Sequence, residues 1–397
     1  MIHLAEILDT HWDAYVHEGG RYTLRAPHVF KAANQIMACR TPKLGTDVYQ
    51  CPQCGMTRFV YHSCKNRFCP RCGQHDIDHW AATLLSQLPR LKHHHVVFTL
   101  PARVRPLAQA NAELVYTLLF HTSAAVSKAW FADKHHATPG IISVLQTAGS
   151  DLQYHPHLHS IVSGGGVKDD QWFELAGDYL VNQKYLAKQF RWRFLNALIR
   201  AYDQGRLRLP GALAELHDRR AFMRLVKQLY SVEWVVSVQP ALTDLENLVR
   251  YVLRYTRRAC LSEYRIRALL DGVITFECKD YLTARDGKPG LKTVSLPYRE
   301  FFDRLFQHVP LPGFRMVRYY GVYAHFKDLP PLPEAESQER PEQLTWRELQ
   351  IEKTGADPLV CPTCHCELVF MQMAFPGIAA LPAPSVPVLP FAYADTS

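Results

Sequence analysis

IISVLQTAGSDLQYHPHLHSIVSGGG, residues 141–166, holds two β-branched runs on either side of an Ala148-Gly149-Ser150 turn. Ile141 to Thr147 and Gln153 to Val162 read as strands, and the tight connection predicts an antiparallel hairpin. Pro156 has no N–H to give a ladder and points to an edge or a strand start. Ser163-Gly164-Gly165-Gly166 reads as the strand's end. Alternate strand side chains share a face, so His157 and His159 project the same way, about 7 Å apart along the backbone at ~3.3 Å per residue. They can close on one ion. Two imidazoles rarely complete a site, and the third ligand is either Gln146, one strand away at ~4.8 Å, or His155 on the same face. Gln146 is preferred, because three successive histidines would have to reach along ~13 Å of strand.

Outward from the hairpin, His95 to Leu100 is a further strand, stopped by Pro101. Helical stretches fill Ala102 to Phe131, Gln183 to Tyr202 and Arg219 to Tyr230, and strands are predicted at Glu233–Val238, Val273–Cys278 and Thr293–Leu296. Thr243-Asp244-Leu245-Glu246 has the form of a capping box and opens another helix. Tyr251 and Tyr255 stand at i and i+4 on it, so their hydroxyls project side by side. Arg250, Arg254, Arg257, Arg258, Arg265 and Arg267 crowd this helix and its exit, and from 250 to 267 only Glu263 opposes them. Such a segment repels cations and favours a phosphodiester. Lys184 to Lys227 has eleven Lys/Arg against three acids, with Phe190, Trp192 and Phe194 interleaved. Arg191, Arg193 and Trp192 there suit single-stranded bases that stack while the backbone is neutralised. The bland counterpart is an amphipathic helix with a solvated basic face.

Eleven cysteines occur, six of them between positions 39 and 72. Cys51-Pro-Gln-Cys54 and Cys69-Pro-Arg-Cys72 are two CxxC knuckles fourteen residues apart, the spacing of a zinc ribbon over 48–75. Arg58, Lys65, Arg67 and Arg71 lie on or between them. Cys361-Pro-Thr-Cys364 is a lone knuckle supplying two of the four ligands that a closed site needs. The expectation is a second zinc site of Cys39, Cys64, Cys361 and Cys364; the alternatives are an unmetallated turn at Cys361 and Cys364, or local zinc binding with Cys366 or His365.

The 397 residues are 48% hydrophobic and carry 45 Lys+Arg against 37 Asp+Glu, net +8. That excludes a disordered polyelectrolyte and favours a polyanionic partner. No run of ~18 apolar residues occurs, and MIHLAEILDTHWD lacks the regions of a signal peptide. A cytoplasmic protein without membrane contact is expected. Residues 1–90 are read as a zinc-binding domain, 91–326 as a catalytic domain, and 327–397 as a Pro-rich linker, knuckle and mobile tail. The class is α+β, an antiparallel sheet with flanking helices plus an N-terminal zinc ribbon.

A His-x-His strand facing a helix with tyrosines resembles the active-site plan of the HUH endonucleases, and the chain is similar to the two-tyrosine rolling-circle transposases of bacterial insertion sequences. YQCPQCG…CKNRFCPRC, HVVFTLP, LQYHPHLHSIVSGGG, YVLRYTRR, KDY…K…VSLP, FRMVRYYG and CPTC carry the resemblance in order along most of the chain. Such relatives usually have a histidine after the Tyr-Thr pair, where Arg257 follows Thr256 here. The resemblance implies His157 and His159 as ligands of Mg²⁺ or Mn²⁺, structural Zn²⁺, and Tyr251 and Tyr255 as nucleophiles. It further implies single-stranded DNA at transposon ends and target as substrate, with a 5′-phosphotyrosine intermediate. A plasmid relaxase or replication initiator, and a non-enzymatic zinc-ribbon DNA-binding regulator, are the alternatives.

Overall fold

Period-two alternation builds a sheet with two chemically different faces. The computed structural model describes residues 2–22, 26–241, 244–253, 259–285, 288–330, 344–375 and 389–390. In chain order the elements begin with α1 (Leu4–His17), α2 (Pro27–Ala38), β1 (Thr46–Gln50), β2 (Thr57–Tyr61) and α3 (Gly73–Gln87). Then come β3 (His93–Thr99), α4 (Arg105–Ala110), α5 (Ala112–His135), β4 (Thr138–Ala148), β5 (Tyr154–Lys168), β6 (Gln171–Glu174), α6 (Gln183–Asp203), α7 (Arg219–Ser231), β7 (Val236–Val238) and α8 (Leu245–Leu253). The rest are β8 (Ile266–Leu270), β9 (Val273–Arg285), β10 (Lys288–Pro297), α9 (Tyr298–Phe306), β11 (Val317–Gly321), α10 (Trp346–Thr354), β12 (Val369–Ala374) and β13 (Leu389–Pro390). This is the expected α+β class.

The chain divides into two units, each assembled from separate stretches. One takes residues 80–256 and 310–340, the other 1–79, 257–309 and 341–397. The boundaries expected from sequence are contiguous, but residues 257–309 and the late cysteines gather with the N-terminal segment.

In the 80–256 unit the sheet order is β11-β4-β5-β3-β7, with β6 pairing the far end of β5. Val96, Phe98, Ile141, Leu145, Leu158 and Val162 share one face and pack with Phe120 of α5 and Phe190, Phe194 and Leu198 of α6. Burying each such side chain contributes ~1.5–3 kcal/mol. The register Gln146–His157, Thr99–His157, Val97–His159 and His95–Ile161 puts the histidines on the opposite face. Pro156 is a strand-start proline, because β5 is flanked by β3 and β4.

The other unit holds the sheets β12-β1-β2-β13 and β10-β9-β8. Trp12 of α1 packs edge-on against Phe302 and Phe306 of α9, and the Tyr15 hydroxyl donates to Asp303 at 2.7 Å. The buried Glu263 carboxylate accepts from the Leu4 amide at 2.9 Å and lies 2.9 Å from His3 Nδ1, tying residues 257–309 to the N-terminal segment.

Two expectations fail for local reasons. The predicted Ala102–Phe131 helix breaks at Asn111, whose side chain donates to the Arg208 carbonyl at 2.8 Å and accepts from the Arg208 amide at 2.7 Å. The glycine run does not end the strand, since β5 continues through Gly164, Gly165 and Gly166 to pair with β6. Glycine is needed there because neighbouring backbone presses in: a Cβ on Gly165 would stand 2.0 Å from the Phe173 carbonyl oxygen. Gly165→Val should therefore lower stability by ~1–3 kcal/mol, the range for overpacking. A melting temperature equal to that of the parent protein would show that the strand yields without cost.

Candidate active site and cysteine clusters

His157 and His159 stand on β5 with ring centroids 5.0 Å apart. The His157 Nδ1 lies 2.6 Å from the His155 carbonyl oxygen, which only an Nδ1–H can satisfy, so its Nε2 carries the lone pair. Burial holds the His157 pKa down to about 4, keeping the ring neutral near pH 7. His155 is engaged elsewhere: its Nδ1 accepts from the Arg105 guanidinium at 2.6 Å. Gln146 is buried directly across from His157, and its side-chain nitrogen has no hydrogen-bond partner. Amide nitrogen and oxygen are interchangeable by a flip, so this position can equally aim an acceptor oxygen at the His157 face.

Reading by sequence alone misses His95. It lies on β3 at the register of the histidine face, and its Nε2 is 2.7 Å from the Nδ1 of His159, with the rings stacked 9° from parallel. His95 Nδ1 is 3.1 Å from the side-chain oxygen of Gln239. With the Gln239 amide turned so that its oxygen faces His95, His95 donates from Nδ1 and accepts at Nε2, and His159 donates from Nδ1. The available signal is the His93-His94-His95 triplet that opens the strand, where His95 is an even number of residues from Val97 and Thr99.

α8 lies over this face. Asp244 caps it by accepting from the Asn247 amide at 2.9 Å. The helix thus starts one residue later than a cap at Thr243 implies, and Thr243 itself lies outside the described residues. Tyr251 packs edge-on against both His95 and His159, at 5.6 and 5.8 Å between centroids. Tyr255, Arg254, Arg257 and Arg258 lie outside the described residues. Arg250 is half-buried and pairs with Glu246 at 2.8 Å, one helical turn away.

Arg191, Trp192 and Arg193 are on α6, across the sheet from the histidines. Arg191 donates to the Tyr230 carbonyl at 2.9 Å, and Trp192, 53% exposed, has the Arg193 guanidinium 5.7 Å from its ring. A cavity of about 660 Å³ is lined by Arg315, Arg318, Tyr319 and Tyr320 rather than by the histidines or Tyr251.

The cysteines pair differently from the predicted ribbon. Cys51-Cys54 and Cys69-Cys72 do not meet; Cys39, Cys64, Cys69 and Cys72 form one group, and Cys51, Cys54, Cys361 and Cys364 another, each with sulfurs within 4.8 Å of one another. The expected second set of Cys39, Cys64, Cys361 and Cys364 is therefore split between the two. Ribbon spacing alone cannot tell which knuckles meet, and here Cys64 is brought to Cys72 by its own loop, at 3.6 Å between sulfurs. Near the knuckles, Arg58 donates to the Pro358 carbonyl, and Arg71 lies 3.8 Å from Glu263.

A family model described as "Transposase zinc-binding domain" matches residues 7–100, and one described as "Putative transposase" matches residues 140–329. "Putative transposase y4qJ" of Sinorhizobium fredii (strain NBRC 101917 / NGR234) is 33% identical over 387 residues, covering 93% of this chain and 96% of that protein. The chain belongs to this transposase family. "Transposase for insertion sequence element IS801" of Pseudomonas savastanoi pv. phaseolicola is 27% identical over 374 residues, 90% of this transposase and 86% of that one. No solved structure matches. The comparisons do not favour the relaxase or regulator readings. They support structural zinc in the transposase, and no helix among its described residues is long and apolar enough to cross a membrane.

The buried histidines make a pH prediction. His93, with its Nε2 2.7 Å from the Tyr323 hydroxyl, is also held down to about 4 by burial. Unfolded histidine titrates near ~6.5, so between pH ~6.5 and ~4 the unfolded chain binds protons that the folded one refuses. Stability should be full above that window and decline as pH falls through it. Denaturant midpoints from pH 7 to 4.5, with chelator present, check this. A flat profile above pH 5, before carboxylates contribute, would contradict it.

Proposed function

We propose that the transposase is an HUH-type single-strand DNA endonuclease and strand transferase that moves its element by rolling-circle transposition. The observation that carries this reading is the Tyr251 ring over His159 beside His157, with both imidazoles on one strand face. The donor set fits a divalent ion: a neutral imidazole at His157, the His159 ring beside it, and a buried Gln146 amide whose nitrogen has no hydrogen-bond partner. His157, His159 and Gln146 would hold Mg²⁺ or Mn²⁺, which when bound polarises the scissile phosphate and offsets charge developing on its oxygens.

The tyrosine oxygen bonds to phosphorus while the 3′ oxygen leaves and takes up a proton, giving a 5′-phosphotyrosine and a free 3′-hydroxyl. The phosphodiester energy is retained, so the liberated strand can be rejoined by the reverse step. Tyr251 and Tyr255 give two such attacks, which is what exchange of one strand at two ends requires. Arg250, Arg254, Arg257 and Arg258 neutralise backbone phosphate, and Arg191, Arg193 and Trp192 bind single-stranded DNA on the other side of the sheet. His95 acts as a positioning residue: held by Gln239, it accepts the His159 Nδ1 proton and leaves the Nε2 lone pair of His159 for the ion.

The test is a labelled single-stranded oligonucleotide carrying a transposon end, incubated with the protein and Mn²⁺. A covalent adduct mapping to Tyr251 or Tyr255 is expected, lost in the double Phe variant with melting temperature retained. An adduct on Tyr319 or Tyr320 would relocate the site. His157→Ala with His159→Ala should abolish cleavage while DNA binding persists, and parental nicking in that variant would remove the metal assignment.

His95→Phe should weaken Mn²⁺ binding by ~10–100-fold, the usual effect of losing a ligand's outer partner. Calorimetric titration of the DNA-free protein reads this directly. Unchanged affinity would mean that His95 only fills space.

A further inference from the structure

The lone C-terminal knuckle lies outside both matched stretches, 7–100 and 140–329, and its fold copies one inside them. In Cys51-Pro-Gln-Cys54-Gly55-Met56 the Cys51 amide donates to the Met56 carbonyl at 2.8 Å, the Gly55 amide to the Cys51 carbonyl at 3.0 Å, and the Cys54 amide faces the Cys51 sulfur at 3.3 Å. In Cys361-Pro-Thr-Cys364-His365-Cys366 the three equivalent contacts are 2.9, 2.9 and 3.4 Å. Gly55 and His365 occupy the same left-handed turn position, at φ 75° and 56°. Histidine is among the few non-glycine residues enriched in that region, so the second turn keeps the shape of the first without a glycine.

The two turns also bring their sulfurs together. Cys54 and Cys361 sulfurs are 3.7 Å apart across 307 positions of sequence. Thiolates ~2.3 Å from a tetrahedral zinc stand ~3.8 Å from each other, whereas a disulfide brings them to ~2.05 Å. The strands agree with the knuckles: β1 runs into Cys51, and β12, following the second knuckle, pairs antiparallel with β1. The apolar cluster there is small: Met56 and Leu368 join Cys51 and Cys361, with Tyr49 packed alongside.

We propose that Cys51, Cys54, Cys361 and Cys364 bind a second structural zinc ion, separate from the one at Cys39, Cys64, Cys69 and Cys72, so that the C-terminal segment completes a zinc ribbon begun at β1 and β2. The ion offsets the entropy of closing a very long loop, a cost that grows only logarithmically with its length. Cys366, with its sulfur 3.3 Å from that of Cys51, is a fifth thiol and serves as a hydrogen-bond donor to a zinc-bound thiolate, not as a ligand.

Metal analysis of the full-length protein, purified under reducing conditions, tests this. Two zinc ions per chain are expected, falling to one in Cys361→Ser with Cys364→Ser, and to one in Cys39→Ser with Cys64→Ser. Cys366→Ser keeps both. Two ions retained in the Cys361/Cys364 variant, or one lost in Cys366→Ser, would overturn the ligand set. Should the variants fail to fold, alkylation of the unaltered protein decides: Cys361 and Cys364 are protected until a chelator strips the metal, and equal labelling before and after chelation refutes the site.

Discussion

The pairing of β5 between β3 and β4 is the constraint on which the 80–256 unit depends. With side chains alternating, one register sends Leu158 and Val162 into the helices and His157 and His159 away from them. A slip by one residue would bury the histidines against Phe190 and expose the leucine, so the hydrophobic core enforces the position of the polar face. The same register selects Gln146 and His95 as neighbours, since each comes from a flanking strand at a position whose partner faces the same way.

The polar face carries its own hydrogen-bond chain. Each imidazole nitrogen for which a partner is on hand sits against one: His157 against its own chain, His159 against His95, and His95 against Gln239. Such a chain of donors and acceptors fixes ring planes and tautomers together, because changing one end reverses the roles of the others. Tyr251 approaches edge-on to two of these rings, and its helix begins where Asp244 satisfies an exposed amide.

Local pattern makes much of this legible. The hairpin, α6, α7 and β9 lie where alternation or helical spacing puts them, and the His-x-His face follows from a period of two. What stays hidden requires knowledge of distant partners. The glycines of β5 look like a strand terminator until Phe173 is known to press against Gly165. His95 looks like an ordinary strand residue until β3 is registered against β5. The helix break at Asn111 needs Arg208, almost a hundred positions on. The zinc partners are hidden for the same reason: C-P-x-C spacing reports that a knuckle exists and says nothing about which knuckle faces it.

The unit containing the cysteines takes that dependence further, because its three stretches of chain must meet from far apart. Its hydrophobic anchor joins α1 to α9 through Trp12, Tyr15 and Phe302, and Glu263 fastens residues 257–309 to the amide of Leu4. Neither contact reaches the last stretch, which is held by β1–β12 pairing, by Arg58 on the Pro358 carbonyl and by the sulfur cluster. Arg347 bonds Asp357 at 2.7 Å and also Glu367, bridging the residues on either side of the knuckle. In the proposed site, directed sulfur ligands do what a larger apolar core would do elsewhere. Coordination of fixed number and direction suits a chain assembled in this way, because it accepts a partner from any distance along the sequence, provided that four thiolates arrive together.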